Sequence, residues 1–203
     1  GRAPSFLAVR SGLPVRDFKE FARYAKGAKL SFAHPGNGTN PHIAGLALAQ
    51  SLGVDVVEVP YKGNQPIASA LGAGEIDYAM LEFESARPLL ERGAIRILAV
   101  TEPNRFSLQP LVPTGQEVGI TQEIESLTPW FILLAPPGTP AQTVAILNRE
   151  VAEVLKMPQI QEKLLSIGVE PFSTSQQAAS AYFLAHRNKI INLLPKLGVS
   201  IKN

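Results

Sequence analysis

Residues 35–42 read Pro35-Gly36-Asn37-Gly38-Thr39-Asn40-Pro41-His42, between an apolar run of strand character, Leu30–Ala33, and an amphipathic helical run that reaches Leu52. Two glycines allow a tight turn. Asn40 has the chemistry of an N-cap, and Pro41 suits the first helical position, where its missing N–H would have gone unpaired anyway. The spacing therefore predicts a loop whose main-chain N–H groups face outward at the positive end of a helix, a place that favours carboxylate or phosphate. The third glycine of a dinucleotide fingerprint is missing, and so is the Gly-Lys-Ser/Thr of a P-loop, which points to a small anion rather than a nucleotide. An ordinary, well-capped strand-to-helix turn explains the same residues. Both readings stay open at this point.

Working outward, short apolar strands alternate with helical patterns. Strands are expected at Phe6–Val9, Leu30–Ala33, Val56–Val59, Tyr78–Leu81, Ile95–Val100 and Phe131–Ala135. Helices are expected at Val15–Ala25, Pro41–Leu52, Gln65–Leu71 and Glu84–Arg92. This rhythm predicts an α/β fold with a largely parallel sheet covered on both faces. Glu102–Gly119, with Pro103, Pro110 and Pro113, reads as a long surface loop. After Ala135 the pattern turns almost wholly helical, over Pro140–Leu155, Pro158–Ile167 and Ser175–Leu194. These amphipathic helices need an apolar partner. Either they wrap the same sheet, or they belong to a second lobe whose sheet is not in this chain.

Composition narrows the function. Of 203 residues, 45% are hydrophobic and 18% charged, a globular balance. A net charge of +2 without a Lys/Arg cluster argues against nucleic acid. Cysteine is absent, which removes disulfides, thiol nucleophiles and thiolate metal sites. Three histidines, His34, His42 and His186, lie scattered with no metal-ligand spacing, so no metal and no cofactor is expected. No G-x-S-x-G elbow occurs, and no carboxylate pair comes with a supporting histidine that sequence can justify.

Several ordered motifs then resemble one family. Gly36-Asn37-Gly38-Thr39 with His42 is followed by Val59-Pro60-Tyr61-Lys62-Gly63, and then by Leu71-Gly72-Ala73-Gly74-Glu75-Ile76-Asp77. Ala94-Ile95-Arg96-Ile97-Leu98-Ala99-Val100-Thr101, Val112-Pro113-Thr114 and Trp130-Phe131 with Ala135-Pro136-Pro137-Gly138-Thr139-Pro140 complete the series. Together they resemble the solute-binding receptors of tripartite tricarboxylate transporters, the Bug receptors. The resemblance implies a periplasmic, monomeric binding protein of type II fold, with two lobes closing on a ligand. It implies chain crossings near Ala3–Phe6 and Leu127–Phe131. Residues 6–126 would then be a complete lobe, with 1–5 and 127–203 forming hinge crossings and the C-terminal helical half of the other lobe, whose preceding part would carry a first glycine-rich loop.

The resemblance also implies a ligand: a dicarboxylate, a citrate-like tricarboxylate, an aromatic acid or an amino acid, held by two facing loops and delivered to membrane transporter subunits. Carried onto this sequence, the second loop is Gly36 to His42, with Gly38, Thr39, Asn40 and His42 as anchors. Tyr61 follows a strand and can offer a phenol, whereas Lys62 reads as a rim charge. Glu82 stands where the family carries an Asp-Asn-like pair; pointing inward, it would favour ligands bearing an amine or hydroxyl, and it reads equally as a solvent-exposed charge. Thr128 offers a hydroxyl at the second crossing, near Thr101 and Ser126, while Trp130 reads as hinge packing. Two alternatives remain: an enzyme using His42 with Glu82 as an acid–base pair, and a ligand-sensing regulatory module.

Overall fold

The structure, a computed structural model, describes residues 1–120, 124 and 127–199. Its centre is one five-stranded sheet of β1 (Ser5–Arg10), β2 (Leu30–His34), β3 (Val56–Pro60), β4 (Tyr78–Glu82) and β5 (Ile95–Val100), in the order β3-β2-β4-β1-β5. β2 runs parallel to β3 and β4, whereas β1 runs antiparallel to both β4 and β5. Four strands thus share one direction and β1 alone opposes them. The sheet is mixed, not simply parallel. Apolar runs buried on both faces look alike in either direction, so β1's sequence carries no sign of its reversal.

β1 shows how the sheet is held. Phe6, Leu7, Ala8 and Val9 are all fully buried. Leu7 and Val9 join one core with Phe18 and Phe21 of α1 (Phe18–Ala25) and Ile43 and Leu48 of α2 (Asn40–Leu52). Phe6 and Ala8 join the opposite core with Ile67 and Leu71 of α3 (Asn64–Ala73) and Ala86 and Leu89 of α4 (Phe83–Glu91). Alternation along the strand feeds two helical layers. Asp77 ties three strands at one end: it accepts from Ser31 N and Oγ at 2.8 and 2.9 Å and from Arg10 Nε at 2.8 Å.

Helix boundaries follow local chemistry. α1 starts after Asp17, whose carboxylate accepts from Glu20 N, and so later than the expected Val15. The proline-rich loop contains a short helix, α5 (Gly115–Val118), started by a reciprocal capping box between Thr114 and Glu117.

The C-terminal part comprises α6 (Ala141–Val154), α7 (Pro158–Ser166), α8 (Gln176–Leu193) and a 3-10 turn at Pro195–Leu197. α6 and α7 bury no residue. Residues 131–135, expected as a strand, have no strand hydrogen bonding, and Phe131 and Leu133 are 61% and 73% exposed. An apolar run is only half of a strand; the other half is a neighbouring ladder, and beyond Phe131, whose amide meets Gly1 O, none pairs with it among the described residues.

Residues 1–3 run beside 129–131, with Ala3 N donating to Pro129 O at 2.9 Å and Phe131 N to Gly1 O at 2.8 Å. The two expected crossings are therefore neighbours. The expected lobe end at residue 126, and Ser126 itself, lie outside the described residues. Leu193 and Leu194 return to the core of Leu7 and Val9, so the C-terminal stretch also packs against the sheet.

Candidate functional site

β2, β3 and β4 are parallel, and each runs directly into a helix, so α2, α3 and α4 begin at the same edge of the sheet. Their N-caps, Thr39, Gly63 and Glu82, line one open groove of about 380 Å³ together with Pro35, Asn40, Pro41, Asn64 and Pro129. None of the three caps makes a side-chain capping hydrogen bond. Three positive helix ends with uncapped first turns therefore meet on one cavity.

The glycine loop is built differently from expectation. Thr39, not Asn40, is the N-cap, and Asn40 is the first helical residue. Thr39 Oγ1 turns back to donate to Gly36 O at 2.8 Å, which removes it from capping. Gly36 and Gly38 have φ of +143° and +76°, conformations that favour glycine. The Thr39 amide donates to Gly36 O at 3.4 Å, and the Gly38 amide to His42 Nδ1 at 3.0 Å. Two loop amides are thus spent internally. Those of Asn37 and Asn40 make no hydrogen bond among the described residues.

The other sequence-derived positions divide. Glu82 is half-buried on the groove; burial pushes its carboxyl above the usual range, the Asn64 side chain works against this, and Glu84 adds to it. The solvent-exposed reading of Glu82 does not describe it. Asn64, which the sequence did not single out, presents a buried Oδ1 with no hydrogen-bond partner. Tyr61 packs against the core of Phe6 and lies outside the groove lining. Thr128 is buried, with Oγ1 donating to Thr101 O at 2.5 Å across the crossings. Trp130 meets Tyr182, Phe183 and His186 edge-on. Lys62 is exposed.

His42 lies behind the loop, 3% exposed, and not on its groove face. Its Nε2 meets Glu58 Oε2 at 2.7 Å, and its ring lies 4.2 Å from that of His34. The acid–base pair of His42 with Glu82 is not assembled, because His42 is engaged by Gly38 and Glu58. His34 and His42 are not scattered, as their sequence positions suggested: with Glu58 they place candidate ligand atoms within 4.8 Å of one another. The signal was a histidine at the end of β2 and another in the first turn of the helix that follows, with Glu58 in register on β3.

This trio fits a metal poorly. A metal on His42 Nε2 requires a proton on Nδ1, yet Nδ1 accepts from the Gly38 amide. The bonding pattern instead fixes the neutral ring with its proton on Nε2, donated to Glu58. His34 is fully buried, and its Nδ1 reaches no partner at hydrogen-bond distance. Burial, then His42, lowers the pKa of His34, against smaller opposing effects of the Gly36 main chain and Glu58.

Comparison with known proteins agrees with this architecture. Residues 1–199 match the tripartite tricarboxylate transporter family receptor. A UPF0065 protein from the tcbD-tcbE intergenic region of Pseudomonas sp. is 35% identical over 169 residues, covering 82% of this chain and 50% of that protein. Protein BugT of Bordetella pertussis is 24% identical, covering 88% of this chain and 54% of its own length. Among solved structures, Rpa4515 of R. palustris with adipate superposes with a TM-score of 0.83 at 30% identity, covering 98% of this chain and 67% of that one. MatC of Rhodopseudomonas palustris with bound malate gives 0.77 at 29% identity, covering 97% and 67%. The periplasmic binding protein BugD gives 0.81 at 27% identity, covering 98% and 68%. The chain spans about half to three-fifths of the length of the first curated relatives it matches. It belongs to the tripartite tricarboxylate transporter receptor family, with the fold of a periplasmic binding protein.

Proposed function

We propose that this family member forms part of an extracytoplasmic receptor that captures a small carboxylate and delivers it to a tripartite tricarboxylate transporter. One observation carries the reading: the uncapped N-termini of α2, α3 and α4 meet on a single groove, whose lining includes Asn40 with an amide that has no internal partner among the described residues. Such an array stabilises one carboxylate through N–H donors and aligned dipoles without needing a cationic side chain. Water can bridge what the amides do not reach, so acids of different shape fit one loop.

Gly36, Gly38, Thr39 and Asn40 form the anchoring loop, with Gly63 and Asn64 opposite. Among the described residues Glu82 is the one carboxyl on the groove, and it repels a second ligand carboxylate unless it holds a proton or meets a donor. We assign it selection for ligands that carry an amine or hydroxyl away from the anchored carboxylate. His42 and Tyr61 support the loop from behind, and Thr128 braces the crossings. α6, α7, α8 and residues 131–135 belong to a second lobe, whose remaining strands the longer relatives supply. The helices of this chain contain no candidate membrane span among the described residues, which suits a receptor that meets its transporter at the membrane surface.

Native mass spectrometry of the intact receptor, freshly purified, tests this by showing which acid co-purifies. A panel of dicarboxylic, tricarboxylic, aromatic and amino acids should raise the melting temperature, since a ligand at 100 times its Kd contributes about 2.7 kcal/mol. Failure of every acid in both measurements sinks the receptor reading.

A further inference from the structure

We propose that His42 is a positioning residue that couples the shape of the glycine loop to pH: its bare Nδ1 holds the Gly38 amide, and protonation of the ring releases that amide and reshapes the loop. The inference rests on the reading of residues 36–42 as the ligand loop, and adds a control that the family comparison does not contain.

Gly38 N donates to His42 Nδ1 at 3.0 Å, so that nitrogen presents a lone pair. The other hydrogen bonds of the turn run within it, from Thr39 Oγ1 and Thr39 N to Gly36 O. His42 is thus the side chain that holds the middle of the loop from beneath. Protonating Nδ1 sets one N–H against another at 3.0 Å, and the Gly38 peptide has to swing away. Glycine on both sides of Asn37 makes that movement cheap. Asn37 adjoins Gly38 and moves with it, and Asn40, which lines the groove, follows two residues later at the start of α2.

Groups from each neighbouring element face the ring. Among the described residues, Glu58 on β3 meets Nε2 at 2.7 Å. His34 on β2 lies 4.2 Å away ring to ring, and His42 itself stands in the first turn of α2. Tyr78 on β4 is held neutral, because burial and then Glu58 push its phenol far up, so it adds no charge. Rings of Tyr78, Phe32 and His34 stack in series beneath His42, at centroid distances of 5.0, 5.7 and 4.2 Å. The imidazole is therefore fixed from below, and the loop is the part free to yield.

The test uses the intact receptor with adipate and with malate as probes. Affinity is measured from about pH 8 to about pH 5.5, across the range where imidazoles titrate. In parallel, the ring nitrogens of His42 and the Gly38 amide are followed by nitrogen-15 NMR without ligand. The expected result is an Nε2–H ring at high pH, a Gly38 amide signal that moves with the same midpoint as the ring, and an affinity that falls about tenfold as the ring charges. His42→Asn, whose amide oxygen can accept from Gly38 but does not titrate, should keep binding at high pH and flatten the profile. Three results overturn the proposal: an Nδ1–H ring at high pH, a Gly38 amide indifferent to the titration, or a His42→Asn profile as steep as the parent's. Zinc captured on the His34 and His42 ring nitrogens would also overturn it, by assigning the cluster to a metal. If neither acid binds at any pH, the receptor reading fails for those acids, while the ring and amide signals still decide the coupling.

Discussion

Gly38 and Glu82 show how single residues set the groove's chemistry. Gly38 sits at φ +76°, where a Cβ is strained, so Gly38→Ala should cost about 1 kcal/mol in a denaturant melt and should weaken acid-induced stabilisation. Glu82 is a carboxyl whose pKa is raised by burial, so the folded state resists its charge at neutral pH. Glu82→Gln should therefore raise stability at pH 7, and the gain should vanish below the unfolded value of 4.5. The same variant should lose any preference for amine-bearing over plain diacids; a competition assay with an unchanged ranking removes Glu82 from selectivity. Asp77 is the opposite case. Burial pushes its pKa up, but the Ser31 amide, Arg10 and the Ser31 hydroxyl outweigh this and hold it below its ordinary 3.8. Asp77→Asn should cost about 2 kcal/mol at neutral pH. That deficit should shrink as pH falls below 3.8 through the lowered folded value, where the parent loses the charge too.

At the scale of elements, the five strands and seven long helices were largely legible, because caps and periodicity are local. The ends of β5 and the course of α2 follow from Ile95–Val100 and from the Pro41 start and Gly53 stop. What escaped was pairing. The direction of β1 depends on partners far away in sequence, and an apolar run such as 131–135 does not by itself supply a pairing partner. The N-cap slipped by one residue because Thr39 spends its hydroxyl on Gly36 O, a choice made by loop geometry and not by capping preference. Close packing of α2 on β2 sets a further expectation. A Cβ on Gly45 would lie 2.0 Å from Phe32 Cζ, against a ring already stacked with Tyr78 and His34. Gly45→Ala should destabilise by about 1–3 kcal/mol or more, read as a lower melting temperature. Through the ring stack it should also shift the His42 signals.

For the whole molecule, the candidate site was half visible. Thr39, Asn40 and Glu82 lie on one groove, because β2, β3 and β4 are parallel and launch their helices from one edge, whereas Gly36 and Gly38 lie outside its lining. Asn64 and the His34–His42–Glu58 contact were hidden, since only the register of β2 against β3 brings Glu58 to the helix turn. The far part of the molecule remains incompletely clothed. Phe131, Leu133 and Leu134 are exposed and, with α6 and α8, line an apolar hollow of about 1150 Å³. On the two-lobe proposal this hollow is core awaiting its strands. The isolated 203-residue chain should then bind a hydrophobic dye strongly, and the longer receptor should not. Equal dye binding by both would count against the second lobe.

β1 has a consequence for biosynthesis. Its four central side chains are wholly sequestered, yet both flanking strands are encoded far downstream, at Tyr78–Glu82 and Ile95–Val100. A nascent chain must carry this greasy segment unshielded while the strands that will flank it are still being translated. Chaperone capture at that stage, and slow insertion of the strand between its two late partners, are the toll of placing an early strand in the middle of the sheet.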